Sequence, residues 1–164
     1  MAFLSDIFKK DPDKAFIVNY APIFVNLNFF EKNLIIQKSK VIECNKGDMI
    51  YKQSDPPDAF YCVITGRVRI SARFGAREET LEYLNCGKYF GMISVLTGDL
   101  HSVSAEAVND SKILKITRDD FQAILNKIPK LAIDLSQTLS RRLRNRENKK
   151  KRVLSSRDFS FTKR

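Results

Sequence analysis

The residues best suited to chemistry lie together in residues 89–105, YFGMISVLTGDLHSVSA. Gly91 and Gly98 bracket a short apolar run, and a strand–glycine–helix turn offers free backbone N–H groups that can cradle a phosphate. His101, the single histidine of the chain, stands at the far end with Ser102 beside it. The stretch contains no Lys or Arg, which leaves such a cradle without a permanent cation. Two readings of His101 are open. It can cap the strand after a turn at Gly98-Asp99 and point to water, or it can contact phosphate more strongly at acidic pH, when the ring is charged.

Little else in the sequence suggests catalysis. Cys44, Cys62 and Cys86 are odd in number and far apart, and no C-x-x-C pair is present. One histidine cannot complete a zinc set, nor the histidine–carboxylate cluster a metal-dependent jelly-roll enzyme needs. No nucleophile–base pair is suggested either. The reading is therefore a non-enzyme with no metal site and three reduced, mostly buried thiols, in a cytoplasmic protein.

The elements that must position this loop are visible in the pattern. Residues 11–37 read as helical: Asp11-Pro12 starts a segment, and Phe16, Tyr20, Phe24, Leu27, Phe30 and Leu34 recur at steps of three or four. Pro22 predicts a break into two helices. Residues 40–117 hold all six glycines and the runs KVIEC, DMIYK, AFYCVI, RVRISARF, ETLEYL, VSAEAV and KILKIT. Arg67-Val68-Arg69-Ile70 alternates polar and apolar, as a half-exposed strand does. Such short strands with glycine turns predict a small β-barrel or jelly roll of about eight strands. After Thr117 the helical period returns, and Leu131, Leu135, Leu139 and Leu143 recur every fourth residue beyond Pro129. The expected class is α+β, with an N-terminal helical segment (1–38), the roll (39–117), C-terminal helices (118–148) and a basic flexible tail (149–164).

Several phrases now add up to a resemblance to the cyclic-nucleotide-binding domain of the bacterial cAMP receptor protein and of the regulatory subunits of cAMP-dependent kinase. It covers roughly residues 24–143. KGDMIYKQSDPPDAFYCVITGRVRIS resembles the family's G-x-x-I-x-x-x-G-x-x-x-x-x-x-Y-x-x-x-x-G-x-V stretch, with Gly47, Ile50, Tyr61, Gly66 and Val68 in place and Ser54 where the second glycine usually stands. LEYLNCGKYFGMISVL resembles the strand leading into the family's phosphate-binding cassette, and LSRRLR its closing phrase. The resemblance implies a cassette reading roughly F-G-E-L-A-L-x-x-x-x-P-R-A-A, whose Glu accepts from the ribose 2′-OH and whose Arg pairs with the cyclic phosphate. Phe90 and Gly91 match. Met92 takes the Glu position, Leu100 the Pro position and His101 the Arg position, with Ser102 next. Ile93, Ser94 and Val103 complete the implied pocket.

The two departures at polar anchors weaken the implied site. Methionine cannot accept the ribose hydrogen bond, at a loss of about 1–3 kcal/mol. A mostly neutral imidazole in place of a guanidinium fork loses about 2–3 kcal/mol more. Together these imply an affinity lower by roughly 10²–10⁴-fold. The expected function is a regulatory or sensory module with weak, atypical or absent cyclic-nucleotide binding. It would act through a homodimer or a partner protein, the stripe Leu131, Leu135, Leu139 and Leu143 serving as dimer face, as lid or as cover for the barrel. Alternatives are a working sensor of cAMP, cGMP or a cyclic dinucleotide, and a peripheral tether.

Charge bears on the tether. The chain carries a net +10, but residues 141–164 hold 11 Lys and Arg against 2 acids, so the globular part is nearly neutral. Lys149, Lys150, Lys151 and Arg152 read as a solvated tail or as an anchor to anionic membrane or nucleic acid. Phe159 and Phe161 could enter a membrane interface. Too few residues follow Asn148 for a helix-turn-helix, so sequence-specific DNA recognition is not expected.

Overall fold

The computed structural model describes residues 11–158, apart from the side chains of Arg142, Arg146, Glu147 and residues 149–158. Pro12 opens α1 (Pro12–Tyr20), where its missing N–H matters little because first-turn donors lack helical partners. The chain turns through residues 21–26 around Pro22 and restarts as α2 (Phe29–Gln37). Asn28 caps this helix reciprocally with Glu31: each side chain accepts from the other's backbone N–H, at 3.0 and 2.7 Å. The break divides the expected aromatic stripe. Phe24 and Leu27 are buried, whereas Phe16, Tyr20 and Phe30 are exposed and Ile17, Val18, Ile35 and Ile36 take the core positions.

Eight strands follow: β1 (Lys40–Cys44), β2 (Met49–Tyr51), β3 (Ala59–Thr65), β4 (Val68–Phe74), β5 (Arg77–Leu84), β6 (Tyr89–Phe90), β7 (Ser104–Ala107) and β8 (Ser111–Thr117). They form two antiparallel four-stranded sheets, ordered β1-β8-β3-β6 and β2-β7-β4-β5, the expected jelly roll. Helix α3 (Met92–Thr97) interrupts the path between β6 and β7. Helix α4 (Arg118–Lys127) follows β8, capped by the Thr117 hydroxyl on the Asp120 N–H. Residues 1–128 form one compact unit and residues 129–164, carrying α5 (Pro129–Asp158), another.

Strand β3 is buried from Ala59 through Ile64, so both of its faces meet apolar partners. Tyr61 and Val63 join Val68, Ile70, Leu84, Phe90, Ala105, Ala107 and Ile113 inside the roll. On the other face Phe60 stacks on Phe121 of α4, with centroids 4.5 Å apart and planes 5° from parallel, and meets Phe24 edge-on at 6.2 Å. The alternation in β4 falls as expected: Val68 and Ile70 point inward, while Arg69 pairs on the outside with Glu106 and with Glu78 at 3.3 Å.

Helix α5 runs past its expected end near Asn148 to Asp158. Residues 149–158 are thus helical where a flexible basic tail was expected: the segment KKKRVLSSRD continues α5 without Gly or Pro to break it, and its Lys, Arg and Leu are good helix formers; residues 159–164, with Phe159 and Phe161, lie outside the described residues. Among the described residues no helix is long and apolar enough to cross a membrane.

Ser54 is the one non-glycine with positive φ among the described residues, at 73°, and it stands where a glycine was expected. A serine held there is strained. Ser54→Gly should raise unfolding stability by about 1 kcal/mol, read in urea as a higher midpoint at unchanged slope.

Candidate functional site

Strand β6 delivers the chain to Gly91, whose φ of 76° allows the turn into α3. A Cβ there would lie 2.7 Å from the Ala59 carbonyl oxygen and 3.1 Å from the Tyr61 ring, so the loop can approach β3 this closely only through glycine. Helix α3 closes at Gly98, where the N–H bonds to the Ser94 carbonyl at 2.8 Å. Phe90, Met92 and Ser94 are buried; Ile93, Leu100 and Ser102 are exposed and Val103 is half-buried. Seven of the eight expected cassette positions, all but Phe90 of β6, therefore belong to one continuous loop and helix.

His101 does not point to water. It is only 2% exposed, and its ring stacks on Tyr51 of β2 with centroids 3.7 Å apart and planes 10° from parallel. Two backbone bonds fix it: its N–H donates to the Asp55 carbonyl at 2.9 Å, and its carbonyl accepts from the Ser54 N–H at 2.7 Å. A turn closed from the β2–β3 loop draws the imidazole inward, which the Gly98-Asp99 sequence alone does not reveal. Nε2 has no hydrogen-bond partner and lies 3.7 Å from Asp58 Oδ1, beyond hydrogen-bonding reach. Burial lowers the imidazole pKa and outweighs the attraction of Asp58 and Asp55, so the ring is neutral near pH 7.

Asp58 anchors the polar part of the cluster. Its Oδ2 accepts from the Tyr61 hydroxyl at 2.6 Å and from Lys115 Nζ at 2.8 Å. Burial pushes its carboxyl up, but these bonds and the Lys115 charge outweigh that and hold it below the usual carboxylate range. Burial, reinforced by Asp58, pushes the Tyr51 and Tyr61 hydroxyls far up, so both phenols stay protonated. Tyr51, Tyr61 and Phe90 pack with centroids 5.1–6.0 Å apart. The interior beside the cassette is thus filled by aromatic rings. Tyr51, Tyr61, Phe90 and Met92 are 6%, 1%, 7% and 3% exposed.

Sequence reasoning missed Tyr51, Asp58 and Lys115 as site residues. Tyr61 was legible as a motif position, but Asp58 sits in the unpatterned PPD loop and Lys115 in the ordinary alternation of KILKIT. The expected helix stripe divides: Leu131 and Leu135 are buried, Leu139 is half-buried and Leu143 is 61% exposed. Lys149, Lys150, Lys151 and Arg152 lie on the helical backbone of α5. The three cysteines are free thiols, each pushed up by burial. Among the described residues no group of three or more His, Cys, Asp or Glu could hold a metal ion.

An eight-stranded roll with a glycine-bounded helix between β6 and β7 is the architecture of one class of nucleotide-responsive domain. The chain belongs to the cyclic nucleotide-binding domain family, whose model matches residues 41–128. It is 35% identical over 119 residues to the cyclic AMP receptor protein of Thermus thermophilus, a match covering 72% of this chain and 51% of that protein. It is 29% identical over 107 residues to the cAMP-dependent protein kinase regulatory subunit of Emericella nidulans, covering 65% of this chain and 26% of that one. The crystal structure of the Thermus thermophilus catabolite activator protein superposes with a TM-score of 0.73 at 33% identity, covering 79% of this chain and 61% of that chain. The chain spans about half the length of the receptor protein it matches.

The close approach at Gly91 is testable by comparison with Gly75, which also has positive φ (63°) but nothing within 4 Å of an added Cβ. Gly91→Ala should cost about 2 kcal/mol more than Gly75→Ala in urea unfolding, because only Gly91 adds a backbone clash to the conformational strain.

Proposed function

We propose that this chain is a non-enzymatic regulatory module in which the cyclic-nucleotide cassette is kept as a structural element and ordinary nucleotide affinity is lost. The observation that carries this reading is the Tyr51–His101 stack: at the position where the resemblance implies a guanidinium for the phosphate, the chain has a neutral ring packed on its own β2. Met92 supports it from the other anchor, since a buried thioether offers the ribose hydroxyl no acceptor of comparable strength. Binding a cyclic nucleotide would require unstacking His101, repacking the aromatic interior and leaving the 2′-OH without its bond.

The relatives named above carry cyclic AMP in their names, so the natural test is with that ligand and cGMP. A ligand that binds only the native state must raise the unfolding midpoint. Wild type should show no thermal shift with either nucleotide up to about 1 mM, given a deficit of roughly 10²–10⁴-fold. Met92→Glu/His101→Arg should restore a response. A wild-type response well below millimolar would overturn the reading and identify a working sensor.

Output through self-association is the second part of the proposal. Leu131 and Leu135 are buried in the single chain, so among the residues of α5 whose side chains are described, Leu139 and Leu143, with Ile133 at 56% exposure, are the large apolar ones left for a partner copy. Leu139→Lys/Leu143→Lys should convert a dimer to monomer in sedimentation equilibrium; a wild type that is monomeric at high micromolar concentration removes this part of the proposal.

A further inference from the structure

The buried, unpartnered imidazole has no role in the packing of the roll that a phenylalanine would not fill better. A polar nitrogen left without a bond at 2% exposure is destabilising, and native folds rarely keep one. We propose that the proton is the input this cassette reads: neutral His101 latches the loop 91–101 against β2 and the β2–β3 loop, and protonation releases it. The inference rests on the reading of the cassette as the regulated element of the domain.

The latch is assembled from three contacts. The ring lies flat on Tyr51, and the backbone of His101 is clamped to Ser54 and Asp55 from both sides. Nε2 faces Asp58 Oδ1 across 3.7 Å with nothing bonded between them. A protonated ring has two ways to satisfy its new N–H. It can close on Asp58, which draws it off Tyr51, or it can leave for water, which opens the loop. Either way the stack that holds the loop shut is lost.

The groups around the ring set the direction. From the β2–β3 loop, Asp58 and Asp55 favour the imidazolium, but Asp58 is already engaged by Lys115 of β8 and the hydroxyl of Tyr61 of β3. Tyr51 of β2 stays a neutral phenol. Helix α3, MISVLT, brings no ionisable side chain. Glu106 of β7 is held by Arg69 on the outer face of its sheet. From α4, the Arg118 guanidinium lies against Gly98 at the end of α3 and adds positive charge to that end of the loop. Desolvation therefore prevails in the closed loop, and the open loop binds the proton more readily. A base whose closed-state pKa is lowered stabilises the closed state fully above about pH 6.5 and progressively less as pH falls toward the lowered value. The Asp58 carboxyl, held low, contributes its stabilisation above the ordinary carboxylate pKa and loses it only at much lower pH, so the two transitions separate.

The chain has one histidine, so its imidazole resonances in NMR need no assignment by mutation. The expected result is a midpoint below the ordinary value of about 6.5, with amide exchange in residues 91–101, corrected for intrinsic rate, giving an opening constant that rises by up to about tenfold per pH unit below that value. His101→Phe keeps the stack without the ionisation and should make opening independent of pH. An imidazole that titrates at or above about 6.5, or a pH dependence that survives in His101→Phe, would overturn the proposal. Should His101→Phe fail to fold, Asp58→Asn gives the second reading: removing the carboxylate should lower the imidazole midpoint further, and an unchanged midpoint overturns the geometry. Nucleotide binding is measured separately at about pH 7.5, where the ring is neutral, so failure of that reading leaves the imidazole titration standing.

Discussion

The burial of β3 on both faces is the constraint on which the rest of the fold depends. Six consecutive residues, Ala59–Ile64, have no solvent-facing side, so the strand needs the roll on one face and a helical layer on the other. Phe60 and Phe121 supply the second layer by parallel stacking, and α1 joins from the N-terminal side through Ile17 and Val18. The cassette is built on the same strand. Gly91 touches the Ala59 carbonyl, Tyr61 reaches from inside the roll to Asp58, and Asp58 sits one residue before the strand begins. A change in how β3 packs therefore reaches the site directly, through covalent neighbours and not through a distant path.

The cassette keeps its backbone turns while Met92 and His101 stand where the resemblance implies a carboxylate and a guanidinium. The glycines that bound α3 still take left-handed conformations, and the turn into the helix is made as the family pattern implies. What differs is the polarity of the contents. Tyr51, Tyr61 and Phe90 pack their rings together there, because burying aromatic faces is favourable, and the charge of Asp58 is met by Lys115 and the Tyr61 hydroxyl. His101 is the residue left in conflict, apolar enough to stack and polar enough to leave one nitrogen without a bond.

Charge is distributed with equal economy. The outer face of the second sheet satisfies Arg69 with Glu106 and Glu78, and Asp120 holds Lys38 at 2.5 Å across α4 and the end of α2. Residues 141–164 concentrate the remaining positive charge on and beyond α5, which forms a unit of its own. The net charge of the chain thus describes that helix and says little about the roll.

Local pattern in the sequence determined the strands, the glycine turns, the Pro22 break and the family, because each depends on residue type at short spacing: all seven apolar runs became strands, and only the two-residue β6 lacked a run of its own. The identity of the cassette was equally legible, since Phe90, Gly91, Met92 and His101 are consecutive or nearly so. Where His101 points was decided only by tertiary structure. Its stacking partner Tyr51 and its acid Asp58 lie over forty residues away in the chain, and neither carries a pattern that marks it. The aromatic stripe of residues 16–34 failed for a related reason: periodicity assumes one continuous axis, and the turn at residues 21–26 gave α1 and α2 separate faces. The extent of α5 fell between the two cases, because the absence of Gly and Pro permits helix through residues 149–158 while a run of like charges is equally typical of a solvated tail. Sequence fixes what a segment can become; which side chains meet across the roll depends on closure of the two sheets, and no short-range pattern encodes that.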